Sequence, residues 1–146
     1  MKKIKLTKGQ FALVDNDDFE ILNKYHWQYN AKTGAEAKIL MHRIVIKAPK
    51  DTIVDHIDRN RLNNKKSNLR LCTTEQNNHN TGMFKNNTSG YKGVNWNLRE
   101  KVWKASITKN NKRVGLGVFK TAREAAIAYN NAVIKLRGEF GWLNKI

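Results

Sequence analysis

The sequence predicts an α+β chain built from two small modules. The first is a strand–loop–strand–helix unit preceded by a small sheet. The second is a three-stranded antiparallel sheet packed on one helix. Three observations predict this. A length of 146 residues fits one ordinary domain or two small ones. Short alternating runs fill the chain up to Phe119, and from Ala125 to Leu136 the apolar residues repeat at helical spacing. Charge is uneven: residues 1–50 hold 10 basic and 5 acidic groups, residues 51–87 hold 6 and 4, and residues 88–146 hold 12 and 3.

The elements follow in order. Residues 10–15 alternate loosely as a strand. Asp17-x-x-Glu20 has the form of a capping box ahead of Ile21, Leu22 and Tyr25, which predicts a short helix. Trp27 to Ala31 alternates, Thr33-Gly34 turns and Ala37-Lys38-Ile39 returns, as in a hairpin. Met41 to Ile46 is apolar except for His42 and Arg43, and the single proline, Pro49, breaks the chain before the strand Ile53–Ile57. Asn60 to Asn68 has one apolar residue, Leu62, and reads as a loop. Leu69–Cys72 is the second strand, and Thr73-x-x-Gln76 caps a helix from Glu75 to about Asn80. Residues 83–88 are polar and unpatterned and read as a linker, which gives boundaries of 1–82 (with a core of 40–82), 83–88 and 89–146. Beyond it Tyr91–Val94, Trp103–Ile107 and Val114–Val118 read as strands, with Asn110-Asn111 turning between the last two. Thr121-x-x-Glu124 opens the long helix and Gly138 closes it.

Composition removes several classes of function. With 28 Lys+Arg against 12 Asp+Glu the formal charge is +16, which points to an acidic polymer as partner. No apolar run approaches the roughly 18–20 residues that cross a bilayer, and the Phe11–Val14 run is too short for a secretory segment. The expectation is a soluble cytoplasmic protein with no membrane partner. A single cysteine, Cys72, excludes an internal disulfide and a zinc site built on cysteine pairs.

Asp55-His56, Asn68, Asn77 and Asn80 form the set that can do chemistry. Neighbours on a strand point to opposite faces, but at a strand end both reach one site. A helix folded onto the hairpin brings the Asn77 amide oxygen toward the Asp55 carboxylate. Two hard oxygen donors suit Mg²⁺, with Mn²⁺ as the substitute, and a neutral imidazole beside them is a general base for water. Taken singly, a strand histidine is more often structural and clustered asparagines more often make turns.

Val54-Asp55-His56-Ile57-Asp58, Asn60, Leu62-Asn63-Asn64, Ser67-Asn68-Leu69-Arg70 and Glu75-Gln76-Asn77-Asn78 together resemble the HNH endonuclease family, in its phage and intron homing-type branch. Met41-His42-Arg43-Ile44 and Ala48-Pro49 extend the resemblance upstream. It implies the ββα-metal fold, with His56 deprotonating the attacking water. It also implies Asp55 and Asn77 binding one divalent ion, His79 or Asn80 in support, and Asn68 pinning the loop that orients His56. The implied reaction is hydrolysis of a DNA phosphodiester, with a nick by a monomer and a double-strand cut by a dimer. The rival reading is a non-catalytic DNA-binding regulator with a degenerate nuclease motif.

Residues 88–146 resemble the APETALA2/ERF DNA-binding domain. Ser89-Gly90-Tyr91-Lys92-Gly93-Val94, Trp103–Ile107, Leu116–Phe119, Thr121-Ala122-x-Glu124-Ala125-Ala126-x-Ala128-Tyr129, Leu136-Arg137-Gly138 and Leu143-Asn144 carry it. The resemblance implies a sheet laid in the major groove of double-stranded DNA. Asn95, Asn97, Arg99, Lys101, Ser106, Thr108 and Arg113 are assigned to the outer face, and Trp96 to stacking on the backbone. Asn95, Asn97, Ser106 and Thr108 replace the family's usual base readers, so its base preference does not transfer. His42 and Arg43 either touch phosphate near the cut or bridge two segments of the fold.

Overall fold

A computed structural model describes residues 1–146 throughout. The chain divides into two compact units, Met1–Asn77 and Asn78–Ile146, so the division falls inside a helix and ahead of residues 83–88. No helix is long and apolar enough to cross a membrane.

The first unit contains three two-stranded antiparallel hairpins and three helices. β1 (Lys2–Lys5) pairs with β2 (Phe11–Val14), with Ile4 opposite Ala12. β1 is basic at three of its four positions and carries no readable alternation; it forms because Ile4 and Leu6 are drawn into the core. α1 (Asn16–Leu22) starts earlier than the Asp17 capping pattern implies. Its N-cap is Asp15, which makes no side-chain cap bond. The Asp15 carboxylate instead accepts the Lys66 N–H at 2.8 Å, while Asp17 and Asp18 sit in the first turn, where the helix dipole favours anions.

The second hairpin pairs β3 (Gln28–Asn30) with β4 (Gly34–Glu36), so the returning strand begins at Gly34 itself rather than at Ala37. Gly34 has φ +86°, and a Cβ there would meet the Arg61 carbonyl oxygen at 2.4 Å. Only glycine lets the 57–68 loop lie so close to this strand. α2 (Met41–Val45) buries Met41, His42 and Val45. β5 (Ile53–His56) pairs with β6 (Leu69–Cys72), and α3 (Thr74–His79) follows at once. The core beneath them is Ile4, Leu6, Ala12, Val14, Leu22, Trp27, Ala35, Met41, Val45 and Leu69. Trp27 fills its centre and donates its indole N–H to the Leu22 carbonyl at 2.7 Å.

In the second unit β7 (Val94–Asn97), β8 (Val102–Lys109) and β9 (Lys112–Phe119) form one antiparallel sheet, crossed by α4 (Ala122–Arg137). The first strand starts at Val94, not Tyr91. Gly90 and Gly93 both have positive φ, which turns the chain, and a Cβ on Gly93 would overlap the Tyr129 ring. Asn110 and Asn111 both lie at positive φ, the signature of a two-residue type I′ turn. Val94, Ala105, Ala125 and Ala126 form one part of this core, and Ile107, Tyr129 and Val133 the other. α4 begins with a full capping box, Thr121 and Glu124 each bonding the other's backbone N–H. The buried Asn144 holds both the N–H and the carbonyl of Lys92, at 2.7 and 3.1 Å.

Candidate active site

The site is assembled on the β5–β6 hairpin. The register sets Asp55 opposite Arg70 and His56 opposite Leu69, and Ile57 N–H extends the ladder to the Asn68 carbonyl at 2.9 Å. Asp55 and His56 are both buried, at 6 % and 7 % exposure, although neighbours on a strand normally divide between two faces.

Asp55 is fixed by Arg70. The guanidinium Nε and Nη2 both donate to Asp55 Oδ2, at 3.0 and 2.7 Å. Both side chains are nearly buried, at 7 % and 11 %, so this is an ion pair sheltered from solvent.

Asn68 holds the loop that leaves His56. Its Nδ2 donates to Asp58 Oδ1 and to the Asn63 carbonyl, each at 2.8 Å, and its Oδ1 accepts the Asp58 N–H at 3.0 Å. Asp58 also accepts from Asn63 Nδ2 at 2.7 Å and from the Asn60 N–H at 2.8 Å. Burial would raise the Asp58 carboxyl, but these bonds and the nearby His56 hold it below the usual carboxylate range. The turn after His56 is made by Arg59, at φ +63°, whose N–H returns to the His56 carbonyl at 2.8 Å. The far side of the loop is tied to β2: Leu13 N–H donates to the Leu62 carbonyl at 2.7 Å, and Asn64 N–H to the Leu13 carbonyl at 2.8 Å.

His56 Nε2 lies 3.3 Å from Asn64 Oδ1. The His42 ring stands edge-on to it, with centroids 5.1 Å apart and planes at 88°. Burial pushes the His56 pKa down; the Asn64 bond and the Asp58 and Asp55 carboxylates oppose this, and Arg61 adds to it. His42 is lowered further, to about 4, first by burial and then by His56 and Arg43. A buried, neutral His42 has no charge to offer a phosphate. Arg43 donates to the Thr52 carbonyl at 2.6 Å and the Pro49 carbonyl at 2.5 Å, which joins α2 to the approach of β5.

α3 carries Asn77. The helix opens with a reciprocal cap: Thr73 N–H donates to Gln76 Oε1 at 2.8 Å, and Gln76 N–H to Thr73 Oγ1 at 3.1 Å. Asn77 is exposed, and its N–H donates to the Thr73 carbonyl at 2.9 Å. Asp55 and Asn77 are oxygen donors in one compact unit, and their chemistry suits a hard divalent cation. His79 and Asn80 fall in the other unit. There the His79 carbonyl accepts from Trp142 N–H and from the Lys92 ammonium, and Asn80 is buried.

On the C-terminal sheet, Asn95, Ser106, Thr108 and Arg113 share the face turned away from α4, together with Lys104. Arg113 donates from Nε to Ser106 Oγ at 2.8 Å and from Nη2 to Asn95 Oδ1 at 3.0 Å. Asn97 accepts the Glu100 N–H at 3.0 Å, so its side chain shapes the turn, and Arg99 and Lys101 are exposed in that turn. Trp96 lies on the opposite face, on the side of Val94, with its ring 5.1 Å from Trp103. Strand parity puts it there, since Trp96 and Val94 are two residues apart.

Sequence reasoning gave no role to Arg70, Asp58 or Asn64. Arg70 was detectable as the base opposite Asp55 once the strands are paired. The Asn64 contact depends on how the loop folds, and spacing does not reveal it.

Comparison with known proteins finds relatives for both parts of the chain. An HNH endonuclease family model matches residues 41–79, from α2 to the end of α3. A protein of Acanthamoeba polyphaga mimivirus described as an uncharacterized HNH endonuclease is 40 % identical over 150 residues, 95 % of this chain and 77 % of that one. Protein 3.8 of Escherichia phage T7 is 40 % identical over 65 residues, 44 % of this chain and 54 % of its own. An AP2/ERF and B3 domain-containing transcription factor of Arabidopsis thaliana is 47 % identical over 51 residues, 35 % of this chain and 14 % of its own. No solved structure matches the chain.

Proposed function

This chain belongs to the HNH endonuclease family, and on that premise we propose that it is a homing-type nuclease that nicks double-stranded DNA at a preferred site, with His56 as general base and Asp55 and Asn77 as ligands of one divalent ion. The observation that carries the reading is the setting of His56. Its ring is buried at the end of β5, held by Asn64 and His42, and its pKa is pushed below the ordinary imidazole range. It is therefore neutral at pH 7 and able to take a proton from water.

Arg70 holds the Asp55 carboxylate in one orientation, and the Asn68–Asp58 bonds hold the turn that follows His56. Mg²⁺ or Mn²⁺ bound by Asp55 and Asn77 would supply stabilisation of the negative charge that develops on the phosphate and on the leaving 3′ oxygen. Water attack with loss of that oxygen yields a 5′-phosphate and a 3′-hydroxyl. The C-terminal unit grips duplex DNA through Asn95, Lys104, Ser106, Thr108 and Arg113, and one centre per chain gives one nick per monomer.

The test is a supercoiled-plasmid assay with and without Mg²⁺ or Mn²⁺. His56→Ala is expected to lose about 10²–10⁴ in nicking rate while DNA affinity is unchanged. Nicking by this variant at the rate of the unmodified protein would overturn the assignment.

A further inference from the structure

Asn64 is the most deeply buried polar residue of the chain, at 1 % exposure. Its backbone N–H is anchored on the Leu13 carbonyl at 2.8 Å, which fixes where its side chain starts. Its Oδ1 lies 3.3 Å from His56 Nε2, and its Nδ2, although buried, has no hydrogen-bond partner. A buried amide N–H₂ without an acceptor is costly, so its presence calls for a reason, and the contact made by the other end of the amide supplies one.

A neutral imidazole has one N–H and one lone pair, on different nitrogens. An amide oxygen only accepts. Contact between Oδ1 and Nε2 therefore requires the hydrogen on Nε2 and leaves the lone pair on Nδ1. Turned about, the amide would donate from Nδ2 to Nε2 and force the hydrogen onto Nδ1. The two arrangements assign opposite nitrogens to the reaction.

We propose that Asn64 is the positioning residue of the general base: it accepts the Nε2 hydrogen bond, fixes the tautomer of His56 and makes Nδ1 the atom that receives the proton from water. This rests on His56 being the base. Aspartate at position 64 can only accept, so it preserves the tautomer, whereas leucine keeps the volume and removes the acceptor.

The experiment combines ¹⁵N-histidine NMR of the full chain with plasmid nicking, both at a pH where His56 is neutral. The unmodified protein is expected to show His56 protonated on Nε2. Asn64→Leu is expected to mix the tautomers. Its kcat should fall at least about tenfold, at most by the roughly 10²–10⁴ that the base contributes, with KM and DNA affinity unchanged. Asn64→Asp is expected to keep the Nε2–H form and recover most of the rate. An Nδ1–H ring in a protein that cuts, or full activity in Asn64→Leu, would overturn the role of Asn64 and leave the nuclease reading intact. A protein that shows the Nε2–H ring but cuts no DNA would overturn the general-base reading, and this proposal with it.

Discussion

Acid should destabilise the N-terminal unit through His42, by an amount that follows from its burial. The His42 pKa falls from 6.5 to about 4 on folding because the ring is taken out of water and lies beside His56 and Arg43. The unfolded chain therefore binds this proton more readily than the folded one. The stabilisation is fully present above pH 6.5 and is lost as pH falls toward 4. At 1.36 kcal/mol per pKa unit the loss is about 2 kcal/mol by pH 5 and about 3 kcal/mol by pH 4. His42→Leu has similar volume and no proton to bind, so its stability should fall less steeply over that range. Comparing slopes removes any constant offset from repacking. Hydrogen exchange read by mass spectrometry, peptide by peptide between pH 4 and 7, resolves this unit from the C-terminal one. Equal slopes in the two proteins would refute the reasoning and place the acid sensitivity elsewhere, with His56 the next group to test.

Arg70→Met should cost the N-terminal unit about 3–5 kcal/mol, because it leaves the Asp55 carboxylate buried without its cation. Adding Asp55→Asn should recover part of that, and additive losses in urea titrations would show that the pair is not coupled. Asn68→Asp replaces the amide donor that faces Asp58 with a second carboxylate, so it should slow nicking and loosen the 57–68 loop in hydrogen exchange, with an unchanged exchange pattern as the contrary result. Arg113→Ala should abolish preference at one base position in a random-sequence selection and weaken the preferred site about 5- to 150-fold, the equivalent of about 1–3 kcal/mol. Uniform weakening across all sequences would make Arg113 a phosphate contact instead.

Local chemistry is what the sequence made legible. The Thr73–Gln76 and Thr121–Glu124 caps, the Asn110-Asn111 turn and the helical repeat of α4 are decided by residues within a few positions of each other, and the structure has all of them. The Asp17 pattern misled because Asp15 is the N-cap and its carboxylate is occupied by the Lys66 N–H, 51 residues away. β1 was illegible because its basic run hides a single inward isoleucine. In the site, Asp55, His56 and Asn68 stood out by type and spacing. The bonds that hold them, from Arg70 and Asn64, and the ring of His42 against His56, depend on strand register and loop path. Trp96, expected to stack on the DNA backbone, lies on the same face as Val94, because residues two apart on a strand share a side.

The seam between Leu13 and the segment 62–64 means that the nuclease motif is not a detachable cassette. A fragment cut to residues 41–79 would retain the residues matched by the family model yet lose the backbone partner that seats Asn64. Whoever trims or transplants this motif must carry the first fifteen or so residues with it, or build another strand edge in their place.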